Sequence, residues 1–382
     1  MPTLLPRPLL AAVAGACALS LAACAAPESK DSTSSSTATG TGASADPATA
    51  TSAKDLGGMA ALEAAAKKEG ALNVIALPPD WANYGEILKN FAAKYPEIKI
   101  TSAQPDAGSA DEIDAAKRLA GQSTAPDVFD LGPAVALANT AMFAPYKVTD
   151  FDKIPAELKD AGGAWVNDYG GLMTVGYDSA KVPAPTKLAD LLGTAYKGKV
   201  ALNGNPVKDG AAFAGVQMVA IAEGGSAADP TKGIAWFKKL KDAGNFLPLD
   251  PTPATIVSGQ TPVVVDWSYN QVSITPKLAT WKLWAPENAP LMTYYVQAIN
   301  KEAPHPAAAR LWQEYLYSAD GQNSWLKGGA KPVLFDAMST AGTLDKSAQD
   351  ALPKTGTPVI PTAADTDKAK AILAKDWANA IG

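Results

Sequence analysis

Cysteine is nearly missing from this chain of 382 residues: there are two, Cys17 and Cys24, and no thiol follows. A disulfide framework, a cysteine-based zinc site, an iron–sulfur cluster and a thiol nucleophile are thereby excluded from the rest of the chain. Histidine is scarcer still, with His305 alone. A Ser-His-Asp triad or a multi-histidine metal centre would have to be built around that one ring, which sits between Pro304 and Pro306 and reads as a capping or packing residue at a helix start. Arginine is limited to Arg7, Arg118 and Arg310, which argues against a multi-arginine clamp for phosphate or carboxylate. A net charge of −5 speaks against a nucleic-acid partner. No G-x-S-x-G elbow or H-E-x-x-H motif occurs. Residues 193–199 (GTAYKGK) match the first seven positions of a phosphate-binding loop, but Val200 replaces the required Ser or Thr and the segment leads into a strand, so it reads as a structural turn.

The N-terminus carries Arg7 and then an Ala-rich apolar run to Ala23, too short to span a bilayer permanently but suited to export. Leu21-Ala22-Ala23-Cys24 has the aliphatic-small-small-Cys pattern of a bacterial lipobox, whereas Cys17 follows Ala14 at the equivalent spacing and is the weaker site. Residues 1–23 are therefore expected to be a lipoprotein signal peptide, Cys24 the lipidated first residue of the mature chain, and the membrane a partner through that anchor. From 24 to 54 the chain is mostly Ser, Thr, Ala, Gly, Asp and Pro with almost nothing large and apolar, which predicts a disordered tether. About 330 residues remain, more than one hydrophobic core usually holds, and suggest two lobes.

The remaining pattern alternates strand and helix. Helices are expected over 60–70, 84–95 and 112–120, ended by Gly70 and Pro96 in the first two cases, with short strands over 72–77, 98–101 and 127–131. A second series follows, with strands over 172–177, 200–202, 262–267 and 292–299 and helices over 211–223, 232–243 and 306–317. The order βαβαβ, repeated, predicts an α/β protein with mixed, mostly parallel sheets flanked by helices and a ligand beyond the carboxyl ends of strands.

Four passages resemble the extracellular solute-binding proteins of bacterial ABC importers, in the branch of ferric-ion, thiamine, polyamine and aminoalkylphosphonate binders. They are LNVI at 72–75 with FAAKYPEIKI at 91–100, APDV at 125–128, LADLL at 188–192 with YKGKV at 196–200, and APHPAAA at 303–309 with YLYSADGQ at 315–322. The resemblance implies a two-lobed periplasmic-binding-protein-like fold of type II with a hinge cleft, residues 55–170 plus about 292–350 forming lobe 1 and 171–291 plus about 351–382 lobe 2. It further implies a binder with no catalytic residues, cofactor or bound metal of its own, acting as a monomer at the outer face of the cell membrane and delivering a small solute to a membrane permease.

Candidate ligand contacts sit at strand ends: Asp80, Trp81 and Tyr84 after the first strand, Asp130 at the end of the third, and Asn203, Asn205 and Asp209 before the helix near residue 211. The densest group is Asp266, Trp267 and Tyr269, an acid, an indole and a phenol leaving a Val-rich strand. Tyr294 and Tyr295 alternate faces, so one at most reaches the cleft, and Tyr294 is taken as that one. Ferric binders of this branch use adjacent tyrosines where this chain has Trp267-Ser268-Tyr269, which disfavours iron. An indole attracts a cation with up to about 2 kcal/mol when desolvated, and carboxylates add to it. An organic amine, such as a polyamine or a thiamine-like cation, is the expected ligand; ferric ion or a phosphonate in the same fold, a secreted lipoprotein hydrolase, and a sensory or adhesive lipoprotein are the alternatives.

Overall fold

A computed structural model describes residues 45–382; the expected signal peptide, Cys24 and the tether up to residue 44 lie outside the described residues. Ten strands are present among them: β1 Ala71–Ile75, β2 Lys99–Ala103, β3 Val128–Leu131, β4 Phe143–Ala144, β5 Val166–Asp178, β6 Val200–Leu202, β7 Val263–Trp267, β8 Trp281–Trp284, β9 Met292–Asn300 and β10 Lys331–Pro332. β1 and β2 pair in parallel. The other eight form one sheet in the order β3-β9-β5-β7-β6, with β8 and β10 also on β5 and β4 on β9.

The sheet is mixed, as expected, but its parallel majority is not found. Only β1 with β2 and β6 with β7 run parallel, while β9 is antiparallel to both β3 and β5 and β5 is antiparallel to β7. The reason lies in β5 and β9, whose neighbours are distant in sequence, so direction is set by long returns rather than by adjacent βαβ units. β5 is 13 residues long and buried throughout. Its first part pairs with β9 as far as Leu172, and from Met173 onward it pairs with β7 and, farther along, β8.

Helices cover the sheet by burying their apolar stripes. Helix Met59–Glu69 ends where Gly70 turns left-handed, and Tyr84–Lys94 ends before Pro96; both stops are those expected of Gly and Pro. Phe91 of the latter meets Trp312 of helix Pro306–Leu316 at 5.1 Å between ring centroids. At the other end of the sheet, Phe237 of helix Thr231–Asp242 meets Trp377 of helix Ala363–Ile381 at 5.6 Å. Each such side chain contributes about 1.5–3 kcal/mol on full burial. Among the described residues no helix is long and apolar enough to cross a membrane.

The packed chain begins earlier than the tether expectation allows. Ala50 is buried, Ala53–Leu56 forms a helical turn over the core, and the buried Arg310 donates from Nε to Ala50 O (2.8 Å) and from Nη2 to Ala48 O (3.1 Å). Small residues with little apolar surface are held here through their carbonyls, by donors that lie 260 residues away in the chain. Composition records side chains and misses that contribution.

Candidate functional site

The site gathers around a defect in β5. Pairing with β9 slips between Asn167 and Gly170, and such a bulge turns side chains out of the regular alternation. Asp168 and Tyr169 occupy it. The register of β3 with β9 sets Asp130 opposite Gln297, so Gln297 and, two residues away, Tyr295 share a face with Asp130.

Aromatic rings from six elements and the loop before residue 84 meet there. Tyr169 stacks on Tyr295 with centroids 5.4 Å apart and planes within 3°, and its other neighbours include Trp325 at 5.2 Å, Tyr84 at 6.0 Å and Tyr269 at 6.0 Å. Trp81 lies 4.8 Å from Tyr269 and 5.7 Å from Tyr295, and Tyr269 stacks on Trp267 at 6.3 Å. The close approach of β5 to this cluster requires glycine at 171, since a Cβ there would lie 2.6 Å from Tyr269 Cε1 and 2.9 Å from Trp267 Cε3. The loop that carries Trp81 is strained: Ala76, Ala82 and Asn83 all have positive φ, a conformation costing non-glycine residues about 1–3 kcal/mol each and concentrated at binding sites.

Polar groups thread the rings. Trp81 Nε1 donates to Tyr169 Oη (2.7 Å), which donates to Asp130 Oδ2 (3.0 Å). Gln297 Nε2 donates to Asp168 Oδ2 (2.8 Å) and to Tyr84 Oη (3.0 Å). Behind them, Glu112 Oε2 accepts the Asp130 backbone N–H at 3.0 Å. Asp130 Oδ1 and Tyr269 Oη are buried and have no hydrogen-bond partner. Desolvation pushes Asp130 up to about 7 and raises Asp168 and Glu112 well above the usual carboxylate range, the negative charge of Asp130 adding to the shift of the other two. The groups acting most strongly on these three acids are other acids, phenols, an amide and backbone N–H; none is a cation.

Of the residues singled out in the sequence, the structure brings together Trp81, Tyr84, Asp130, Trp267 and Tyr269. Asp266 is buried beside them in sequence, accepts from Trp267 N (2.7 Å) and Asn270 Nδ2 (3.1 Å), and also bonds Asn203; desolvation raises it to about 6. Asp80 is exposed at the rim in an ion pair with Lys277 at 3.4 Å. Asn205 and Asp209 are not brought to the cluster: they are exposed, Asp209 Oδ2 accepting Asn205 N (2.7 Å) and Asn205 Oδ1 accepting Val207 N (2.9 Å), so their polar groups close their own turn. Tyr294 is likewise set apart, buried on the opposite face of β9 with Asp336 and Glu157 as its charged neighbours. Tyr295 takes its place. Glu112, Asp168, Tyr169, Gln297 and Trp325 complete the cluster without having been singled out.

Strands of one sheet and the helices against it thus bring an aromatic and acidic cluster together from segments far apart in sequence. The sequence pattern described as bacterial extracellular solute-binding protein matches residues 127–369, and the chain belongs to that family. No curated protein sequence matches it. Among solved structures it is similar to the spermidine/putrescine ABC transporter substrate-binding protein PotD from Streptococcus pneumoniae in complex with calcium and HEPES, at 14% identity and a TM-score of 0.59 over 82% of this chain and 99% of that one. The ferric binding protein from Campylobacter jejuni aligns at 18% identity and a TM-score of 0.58, over 81% of this chain and 99% of that one. AgtB from A. tumefaciens R10, in complex with agropinic acid, aligns at 14% and 0.58, over 82% and 98%. The fold is that of type II periplasmic binding proteins. The chain is a substrate-binding protein of the ABC-transporter class, whose family implies a small-molecule ligand, a permease partner and an extracytoplasmic location.

Proposed function

We propose that this protein captures an organic cation, an amine such as a polyamine or a thiamine-like cation, and delivers it to its permease as a monomer moored through lipid on Cys24. The observation that carries the reading is the trio Glu112, Asp130 and Asp168, all buried, with no cationic side chain among the groups acting most strongly on them, and set against a wall of indole and phenol rings. Buried charge without a partner is costly, and a cationic ligand is the partner that removes the cost. Indole and phenol faces attract cations by about 0.5–2 kcal/mol each.

Lobe 1, residues 55–170 with about 292–350, and lobe 2, residues 171–291 with about 351–382, close on the ligand. Support comes from β5, which changes partners between Leu172 and Met173, and from the ring contact of Trp81 with Tyr269 and the Asp80–Lys277 pair, each joining the two proposed lobes. Ligand that bridges lobes favours the closed form by its differential affinity.

A thermal-shift and calorimetric screen of the chain from residue 45 tests the ligand class; residues 45–54 are kept because Arg310 holds them. Putrescine, spermidine and thiamine are set against ferric citrate, a phosphonate and a sugar. A cation at 100 times its Kd adds about 2.7 kcal/mol to stability. A response to ferric citrate or phosphonate with none to any amine overturns the reading. The anchor is tested by Cys24→Ser, which is expected to move the protein from the membrane to the soluble fraction.

A further inference from the structure

No cationic side chain is among the groups acting most strongly on the acid trio. Asp130 Oδ2 is bonded by the Tyr169 hydroxyl, but Oδ1 meets no N–H or O–H donor. Asp168 belongs to the same cluster, its Oδ2 held by Gln297, which stands opposite Asp130 in the register of β3 with β9, and two buried carboxyl groups gathered without a cation do not both ionise. The groups that meet in the cluster are acids, phenols, indoles and an amide: β3 brings Asp130, β5 Asp168 and Tyr169, β9 Tyr295 and Gln297, helix Ser109–Arg118 Glu112, and the loop and helix at 81–94 Trp81 and Tyr84, while Lys331 of β10, paired beside Tyr169, makes its ion pair with Asp336. Helix Ser268–Ile274 adds Tyr269 and helix Ala319–Lys327 adds Trp325. Lys277 lies at the rim, held by Asp80 with both side chains exposed. Tyr269 Oη is a second buried group in the cluster without a partner.

The geometry points to a proton-exchanging site: the Asp130–Asp168 pair shares a proton while the cleft is empty and gives it to solvent when an organic cation enters, so that capture and deprotonation are one event. This rests on the amine reading above. The exchange balances in charge, one proton leaving the carboxyl pair as one ammonium or other fixed positive charge arrives with its own protons retained. No bond other than the O–H of the carboxyl is broken. Asp130, raised to about 7 mainly by desolvation, supplies the range. The phenols of Tyr84, Tyr169, Tyr269 and Tyr295 are all raised above their ordinary value and keep their protons there. Affinity for a cation therefore rises about tenfold per pH unit below the pair's titration and levels off above it. The arrangement also discriminates: a neutral solute gains nothing from releasing the proton, so its binding lacks that slope.

Two measurements separate this proposal from the reading it rests on. Carbon-13 NMR of labelled aspartate carboxyls in the ligand-free protein should show one resonance titrating near neutrality, absent in Asp130→Asn and shifted in Asp168→Asn. Carboxyls that all titrate in the ordinary acidic range overturn the proposal whatever binds. Calorimetry with spermidine and with thiamine, run near pH 6 and near pH 8 in two buffers of different ionisation enthalpy, should show proton release on binding that is larger at the lower pH. Repeating it with His305→Gln removes the sole imidazole from the count. Binding without proton release overturns the proposal and leaves the amine reading standing. No binding of either cation at either pH overturns both.

Discussion

His305 offers the cleanest perturbation, because it is the only histidine in the chain. It caps helix Pro306–Leu316 and donates its backbone N–H to Asp127 Oδ1 at 2.7 Å, while Nδ1 stands 2.9 Å from Oδ2. Asp127 is fully buried and also accepts Asn73 N at 2.6 Å. His305→Ala leaves both backbone donors in place, so the cost is that of one charge-assisted hydrogen bond, about 1.5–3 kcal/mol, rather than that of stripping a buried charge bare. The hydrogen bond to Asp127 raises the imidazole above 6.5, against a smaller opposing effect of desolvation. A histidine raised on folding contributes stability that is complete below its unfolded value and is lost as pH rises through its folded value. The neutral ring still offers a weaker bond, so the loss on substitution should be about 2 kcal/mol near pH 6 and about 1 kcal/mol near pH 8.5. Asp127, itself raised by desolvation, adds to the same slope only at acid pH. Urea unfolding of wild type and variant at the two pH values reads the difference, and the single imidazole resonance in proton NMR reads the titration. A midpoint below 6.5, or equal losses at both pH values, would refute the reasoning.

Other perturbations follow from the same contacts. Gly171→Ala places a methyl 2.6 Å from the Tyr269 ring and should cost about 1–3 kcal/mol by overpacking; unchanged urea stability together with unchanged amine affinity would show that the rings are not packed as described. Arg310→Met removes the donors to Ala48 and Ala50 and should lower stability by about 2–3 kcal/mol, with protease cleavage appearing between residues 45 and 56. Resistance of that segment in the variant would mean that something other than Arg310 holds it. Trp81→Ala, which removes the ring facing Tyr269 at 4.8 Å, should weaken binding of spermidine or thiamine by about 0.5–2 kcal/mol, read by calorimetry, with little change in sugar binding.

What the sequence makes legible is local. Gly70 and Pro96 stop their helices where the pattern says, and Trp81, Tyr84, Asp130, Trp267 and Tyr269 stand at strand ends because an acid or a ring is conspicuous beside apolar runs. Facing is another matter. Tyr294 and Tyr295 are equivalent until the register of β9 with β3 assigns Gln297 to Asp130, and that register is fixed by residues more than a hundred positions apart. Asp168 and Tyr169 precede the strand expected over 172–177 and carry no periodic signal of their own, and only the bulge in a fully buried strand brings them into the cluster. Glu112 looks like an ordinary first-turn acid of helix Ser109–Arg118, beside Asp111, until the Asp130 N–H it accepts is seen 18 residues on. Asn205 and Asp209 mislead in the opposite sense, since short polar side chains near a helix start serve their own turn as readily as a ligand. From the sequence the densest candidate group centres on Asp266; in the structure Asn203, Asn270 and a backbone N–H already satisfy that carboxyl, and the acids gathered without a cation among their strongest neighbours are Asp130, Asp168 and Glu112. The proposed preference for a cation therefore rests on carboxyl groups that meet only because three separate elements converge, and it is the lack of a basic side chain among the groups acting most strongly on them, more than the presence of an indole, that argues for a positively charged ligand.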